Sequence, residues 1–305
     1  MNISSVIGFF SSENGTQFNL PEITEILTKN EVRRFSTTVK YALYCGLKCL
    51  QSVEIGCPDA IITGSGKGSV RNIELFLDDI DKYNESALNP SLFIQSTHNT
   101  INGLISIKTD CNGYSATHVN FNYTVINVLD DAFQQSLDGV TNNVLVGFFD
   151  EKTDFDDVIY DIGGFRESSG SDNINPINWG SGICFLLLNF DREAGIKIQC
   201  WNSFSFDQYS EIVSYIKKNI DNHSQLEFLI GSNNAYEFES IYQPILSAFH
   251  IDNPILFKEG LDELPVSSAI GIHEAYIRLS GRENGTCVII NHILDKSLDV
   301  IVITK

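Results

Sequence analysis

PSLFIQSTHNTINGLISIKTDCNGYSATHVNFNYTVINVLDDAFQQSLDGVTNNVLVGFFDE, residues 90–151, decides how this chain is read. Its residue pattern predicts a turn, an apolar helix, a strand, a sharp corner, a second helix and a second strand. Residues 115–121 alternate at the strand period. Asn122-Tyr123-Thr124 then forms a corner, and Val125, Val128, Leu129, Ala132 and Phe133 follow at helical spacing. Residues 143–149 are a continuous apolar run, as expected of a buried parallel strand. A strand-to-helix corner stands at a helix N-terminus, where the dipole and free N–H groups favour an anion or an activated nucleophile. Here that corner holds Asn122, which is neither acid, base nor nucleophile at neutral pH.

Outward from that stretch the same alternation continues. Residues 3–11 and 60–63 read as strands, 31–52 as a helix with its stripe on Phe35, Val39, Leu43, Leu47 and Leu50, and 73–80 as another helix. Residues 152–180, rich in Asp, Gly, Ser and Asn, read as a crossover between two halves. Beyond it, 181–190, 195–204, 226–230, 287–291 and 300–304 read as strands, and 209–220, 238–249 and 267–279 as helices. Strands interleaved with helices in both halves predict an α/β protein with two related sheets. The Gly64-Ser65-Gly66-Lys67-Gly68-Ser69 loop after the second strand has a phosphate-binding look, weak without an acidic residue at the next strand end.

Composition sets the bounds. The chain has 305 residues, 43% of them hydrophobic and 19% charged, with a formal net charge of −19. No basic stripe exists, which argues against nucleic acid. No apolar run approaches the ~20 residues of a membrane span. The N-terminus lacks a basic region and reads as a first strand rather than a signal peptide. Seven cysteines without metal-type spacing predict reduced thiols in a cytoplasm, and N-x-S/T matches such as Asn14-Gly15-Thr16 are then chance. Cys45, Cys49 and Cys184 read as core, and no metal constellation or G-x-S-x-G elbow is present. His98, at a helix entry, and His118, within a strand, read as buried and bonded to backbone carbonyls. Asp130-Asp131 and Asp156-Asp157 read as solvated faces.

Residues 33–151 resemble the N-terminal half of β-ketoacyl synthases, members of the thiolase-like superfamily. The resemblance is carried by Arg33-Arg34-x-Ser36 with Tyr41-Ala42, the Gly64–Ser69 loop, Pro90, Asn99-Thr100-Ile101-Asn102-Gly103 and Gly113-Tyr114-Ser115. It implies a thiolase-like fold, five αβαβα layers from two pseudo-symmetric halves, here 1–160 and 181–305, forming one compact unit. It makes the glycine loop a structural turn. The family's nucleophilic Cys stands nine residues after the second glycine, where this chain has Asn122. The family's two catalytic histidines fall at Ser232 and Pro265. Lys258 meets a nearby family Lys only with a shift, and the last glycine-rich loop is Asn291–Ser297, without glycine. Catalytic residues are therefore expected to be absent.

The Ser-Thr-His-Asn form around His98 is similar to short ketosynthase-like proteins of aryl-polyene and dialkylresorcinol pathways. The resemblance implies a chain-length factor, a cytoplasmic pseudoenzyme that pairs as a heterodimer with an active ketosynthase and shapes its acyl tunnel, with no cofactor. The alternatives are a homodimeric acyl-binding scaffold and, after it, a decarboxylase or hydrolase with an altered corner. An acyl carrier protein is expected to dock through the partner, since carriers are acidic themselves. Leu92, Phe93, His98, Asn99 and His118 are the expected tunnel or interface residues. The resemblance further implies that strands of the Asn143 region meet across the dimer axis.

Overall fold

A computed structural model describes residues 1–11, 23–156, 158, 162, 179–220, 225–232, 238–292 and 297–305. The apolar runs become β1 (Asn2–Phe10), β2 (Ala60–Ser65), β3 (Tyr114–Val119), β4 (Asn143–Asp150), β5 (Gly182–Asn189), β6 (Lys197–Ser205), β7 (Leu226–Gly231), β8 (Ile255–Leu256), β9 (Thr286–His292) and β10 (Ser297–Thr304). They stand in the order β3-β2-β4-β5-β1-β6-β10-β9-β7-β8. Counted within each set of five, both read 3-2-4-5-1, and the two sets meet at their first strands. In each set the second strand is parallel to the third and fourth, and the fifth is antiparallel to the fourth and first. The sole pairing between β1 and β6 is Asn2 with Lys197. The chain is thus a structural duplication.

Period-two alternation explains the layers, because successive strand side chains face opposite sides. Ala60 and Ile62 of β2 face inward with Val125, Val128, Leu129 and Ala132, and so do Cys287 and Ile289 of β9 with Ala269, Ile272, Ala275 and Leu279. Those two apolar stripes belong to α7 (Thr124–Ser136) and a later helix over Ser268–Ser280, and they form the middle layer. Ile61, Leu145 and Phe185 face the other way, under Val39, Leu43 and Leu50 of α3 (Thr37–Gln51) and Ile101 and Ile105 of α6 (Thr100–Thr109). Phe228, Ile230, Val288 and Val300 lie under α8 (Tyr209–Asn219) and α9 (Gln243–Ser247). The Ser268–Ser280 helix is α10. The fold is the five-layered α/β arrangement expected. Sheets buried on both faces need continuous apolar strands, which is why 143–149 shows no alternation.

Several details depart from the sequence expectation. The helix over 31–52 is two, α2 (Lys29–Arg34) and α3, because Phe35 is extended and Ser36 caps α3, accepting from the Val39 N–H at 3.4 Å. Gln95 clamps the break: its Oε1 accepts from the Ser36 N–H at 2.7 Å, and its Nε2 donates to the Arg34 carbonyl at 3.0 Å. The strand 182–189, read as opening the second half, pairs along its length with β4 and β1 and so completes the first sheet. β4 cannot meet a second subunit edge to edge, since β2 and β5 occupy both its edges. The free edge of that half is β3. Residues 238–242 form a π-turn, and α9 begins at Gln243. The crossover over 152–180 falls mostly outside the described residues, as does Asn14.

Candidate functional site

The strand ends of the first half build a corner. α7 follows β3 through Asn120 and a single 3-10 turn, Phe121–Tyr123. Phe121 adopts φ 42°, a left-handed value unusual for a bulky residue. It is held there by its N–H, which donates to the Gly66 carbonyl at 3.1 Å. The Thr124 hydroxyl donates to the Ser65 carbonyl at 3.2 Å and accepts from the Asn120 N–H at 3.1 Å. A Cβ on Gly64 would stand 2.4 Å from Thr124 Cγ2, so glycine lets the start of α7 lie against β2. These contacts bury Asn122 to 3% exposure and leave its Oδ1 without a hydrogen-bond partner among the described residues. An enclosed amide oxygen at the N-terminus of a 13-residue helix is the most distinctive polar feature of the corner.

Two carboxylates hold the glycine loop beneath it. Asp150, the last residue of β4, accepts from the Ser65 hydroxyl at 2.8 Å, the Gly66 N–H at 3.0 Å and the Lys67 N–H at 3.2 Å. Desolvation pushes its pKa up to about 6 even though Lys67 and these donors pull the other way. Lys67 Nζ reaches Asp156, 2.7 Å away, and Asp156 also accepts from the Thr153 N–H. The loop's N–H groups are therefore taken up internally, those of Gly66 and Lys67 by Asp150, that of Gly68 by the Ser65 hydroxyl and that of Ser69 by His98. The acidic residue that the phosphate-binding reading asks for is Asp150, and it fastens the turn instead.

The second half meets this loop at Pro265. A Cβ on Gly66 would stand 2.1 Å from Pro265 Cβ, so the proline lies directly on the glycine whose carbonyl holds Phe121. Nearby, Lys258 is fully buried, its Nζ 2.9 and 2.8 Å from the Glu263 carboxylate oxygens and 3.2 Å from the His292 carbonyl. Asn291 stands one residue before the end of β9. It donates to the hydroxyls of Ser267 (3.1 Å) and Ser268 (2.8 Å) at the start of α10. Ser268 in turn donates to Asp299 at 2.6 Å. The Tyr242 hydroxyl donates to the Gly231 carbonyl and accepts from the His292 N–H, both at 2.9 Å. Ser232 is buried one residue past β7, and the loop that follows it, 233–237, lies outside the described residues, as do 293–296 of the last loop.

Phe121, next to Asn122, and Pro265 thus meet at Gly66, and of the expected tunnel residues His98 lies against Gly68 of the same loop. Phe93, on α5 (Pro90–Ser96), is 58% exposed and packs on Phe76 at 5.4 Å; Leu92 is half-buried. His98 is exposed, and its Nδ1 accepts from the Ser69 N–H at 3.2 Å. Asn99 is exposed ahead of α6 and makes no side-chain cap bond. His118 is half-buried and bonds Asp131 at 2.8 Å, not a carbonyl. Asp131 also accepts from the Tyr114 hydroxyl, and Asp130 from the Trp201 indole at 2.7 Å, so neither they nor Asp156 are merely solvated. Clefts of about 1030, 390 and 330 Å³ lie elsewhere, and none is lined by Asn122, Leu92 or Phe93. No cluster with metal-holding composition occurs among the described residues, and no described helix is long and apolar enough to cross a membrane.

Residues 12–158 match the model of the β-ketoacyl synthase N-terminal domain. No curated protein matches the sequence. Solved structures match the fold at low identity. A type II PKS acyl-carrier protein in complex with its ketosynthase bound to the hexaketide (AntDE:AntF) gives a TM-score of 0.78 at 12% identity, covering 99% of this chain and 98% of that one. The ishigamide ketosynthase/chain length factor gives 0.71 at 13%, covering 95% and 85%. The ketosynthase ApeO in complex with its chain length factor ApeC, from Xenorhabdus doucetiae, gives 0.50 at 14%, covering 92% and 82%. The chain therefore has the thiolase-like fold of these ketosynthase structures, and its residues 12–158 are similar to the β-ketoacyl synthase N-terminal domain.

Proposed function

We propose that this protein is a non-condensing ketosynthase-like subunit, a chain-length factor that pairs with an active ketosynthase in polyketide or aryl-polyene-type synthesis. The observation that carries the reading is the corner itself. The fold delivers a buried position at the start of α7, and that position holds an amide, Asn122. Acyl transfer of the ketosynthase kind needs a thiolate there and imidazoles beside it. Pro265 and Ser232 supply neither. Cys111 is at the far end of β3, buried against the Pro58 carbonyl at 3.1 Å.

Pairing is supported by the unpartnered edge of β3 and by apolar side chains left in solvent on neighbouring elements. Val119 is 39% exposed and Tyr114 42%, with Ile94 at 61% and Ile107 at 78%. An edge strand with open N–H and C=O groups beside such residues suits a second subunit. The acyl carrier docks on the partner in this reading, because the chain carries −19. Co-expression with candidate ketosynthases and co-purification tests it. A stable one-to-one complex is expected. A homodimer that persists unchanged beside every such ketosynthase overturns the chain-length-factor reading and favours a homodimeric scaffold.

A further inference from the structure

β2 and β3 run parallel in an unbroken register from Ala60 opposite Tyr114 to Ser65 opposite Val119. Carried back three residues, that register sets Cys57 opposite Cys111. Neighbouring strands lie about 4.8 Å apart, within the Cα separation that a disulfide spans. The thiols themselves converge. Cys57 Sγ donates to the Pro58 carbonyl at 3.4 Å, and Cys111 Sγ donates to the same oxygen at 3.1 Å. The two segments are drawn together here, since a Cβ on Gly113 would stand 2.0 Å from the Asp59 carbonyl oxygen. All seven cysteines are free thiols; five are buried, Cys200 is half-buried, and Cys57 is the exposed one.

We propose that Cys57 and Cys111 are a modification site, a dithiol that a small-molecule disulfide such as oxidised glutathione converts to a reversible intramolecular disulfide. The Cys57 thiolate attacks one sulfur of the oxidant, forming a mixed disulfide and releasing the first small thiol. The Cys111 thiolate then attacks the Cys57 sulfur, closing the protein disulfide and expelling the second. Two protein thiols are oxidised, one small disulfide is reduced to two thiols, and the protons pass to solvent. Burial, Cys111, and the carboxylates of Asp59 and Asp110 hold the Cys57 thiol above its ordinary pKa, so exchange quickens toward alkaline pH. The closed ring would span 57–111. It contains β2, the glycine loop, α4 (Val70–Tyr83), α5 and α6, and it fastens the entry to the free edge strand β3.

The test incubates the full chain with oxidised glutathione at mildly alkaline pH. The expected intact mass is lower by two hydrogens, with one cross-linked peptide joining Cys57 and Cys111, a raised thermal midpoint and full reversal by dithiothreitol. Cys57→Ser, a surface change, abolishes the product, and Cys111→Ser leaves a glutathione adduct on Cys57. A persistent glutathione adduct on the unaltered chain, a cross-link through any other cysteine, or an unchanged mass overturns the proposal.

Discussion

The fourth strand of each half ends at the same topological place, yet the two ends are fastened by different chemistry. β4 ends in Asp150, a buried carboxylate that collects two backbone N–H groups and a hydroxyl from the glycine loop. β9 reaches Asn291, a buried amide that donates to two serine hydroxyls at the start of α10. The charges near this end come from other elements, Asp299 of β10 behind Ser268 and the Lys258–Glu263 pair one loop away. The duplicated frame therefore fixes where polar groups converge and leaves open what those groups are. A site read by analogy between the halves, or with other proteins of this fold, has to be argued side chain by side chain.

The largest difference between the two ends should appear when one partner of a charged anchor is removed. Lys258→Met leaves Glu263 buried without its cation and should destabilise the chain by about 3–5 kcal/mol. The double change Lys258→Met, Glu263→Leu should recover much of that in urea unfolding. If the double variant is as unstable as the single one, the pair is not the unit of anchoring.

The carboxylate of the first half should reveal itself through pH. Its folded-state pKa of about 6 lies above the unfolded 3.8, so the native state binds more protons between these values. Its contribution to stability is then complete below about pH 4 and is lost as pH rises through 6, by about 2–3 kcal/mol. Asp150→Asn should remove that slope, measured as the difference from the unaltered chain so that other carboxylates cancel. Equal slopes in both proteins would show that Asp150 titrates normally.

Most of the frame was legible in the sequence. The continuous apolar runs at 143–149 and 181–190 mark strands buried on both faces, and Val125, Val128, Leu129 and Ala132 mark the face of α7 that meets the sheet. What escaped depends on contacts distant in the chain. The break at Phe35–Ser36 is enforced by Gln95, 59 residues from Ser36. The partnership of Asp150 with the glycine loop was open to discovery, because an acidic residue does close the next parallel strand. The membership of 182–189 was not, since an antiparallel fifth strand looks the same in sequence whichever sheet it completes. Asp156 and Asp131 read as solvated because the cations they meet, Lys67 and His118, stand on other elements of the chain.

A smaller effect distinguishes the glycine-loop end from the outlying α4–α5 pair. Phe93 is exposed, so Phe93→Ala should change the stability of the isolated chain by less than about 1 kcal/mol. If Leu92 or Phe93 walls a partner's tunnel, Leu92→Ala and Phe93→Ala should lengthen the product of the reconstituted pair and Leu92→Trp should shorten it, with the complex intact. Unchanged product lengths in all three variants remove this segment as the ruler.

The central claim is that the corner of this chain does not carry acyl groups, and intact-mass spectrometry addresses it most directly. The protein, alone and with a candidate partner ketosynthase, is incubated with acyl-carrier and acyl-CoA donors. The account predicts an acyl adduct on the partner only, an unmodified mass for this chain, and no condensation by Asn122→Cys alone, because Ser232 and Pro265 cannot replace imidazoles. A stoichiometric acyl adduct on this chain would contradict it.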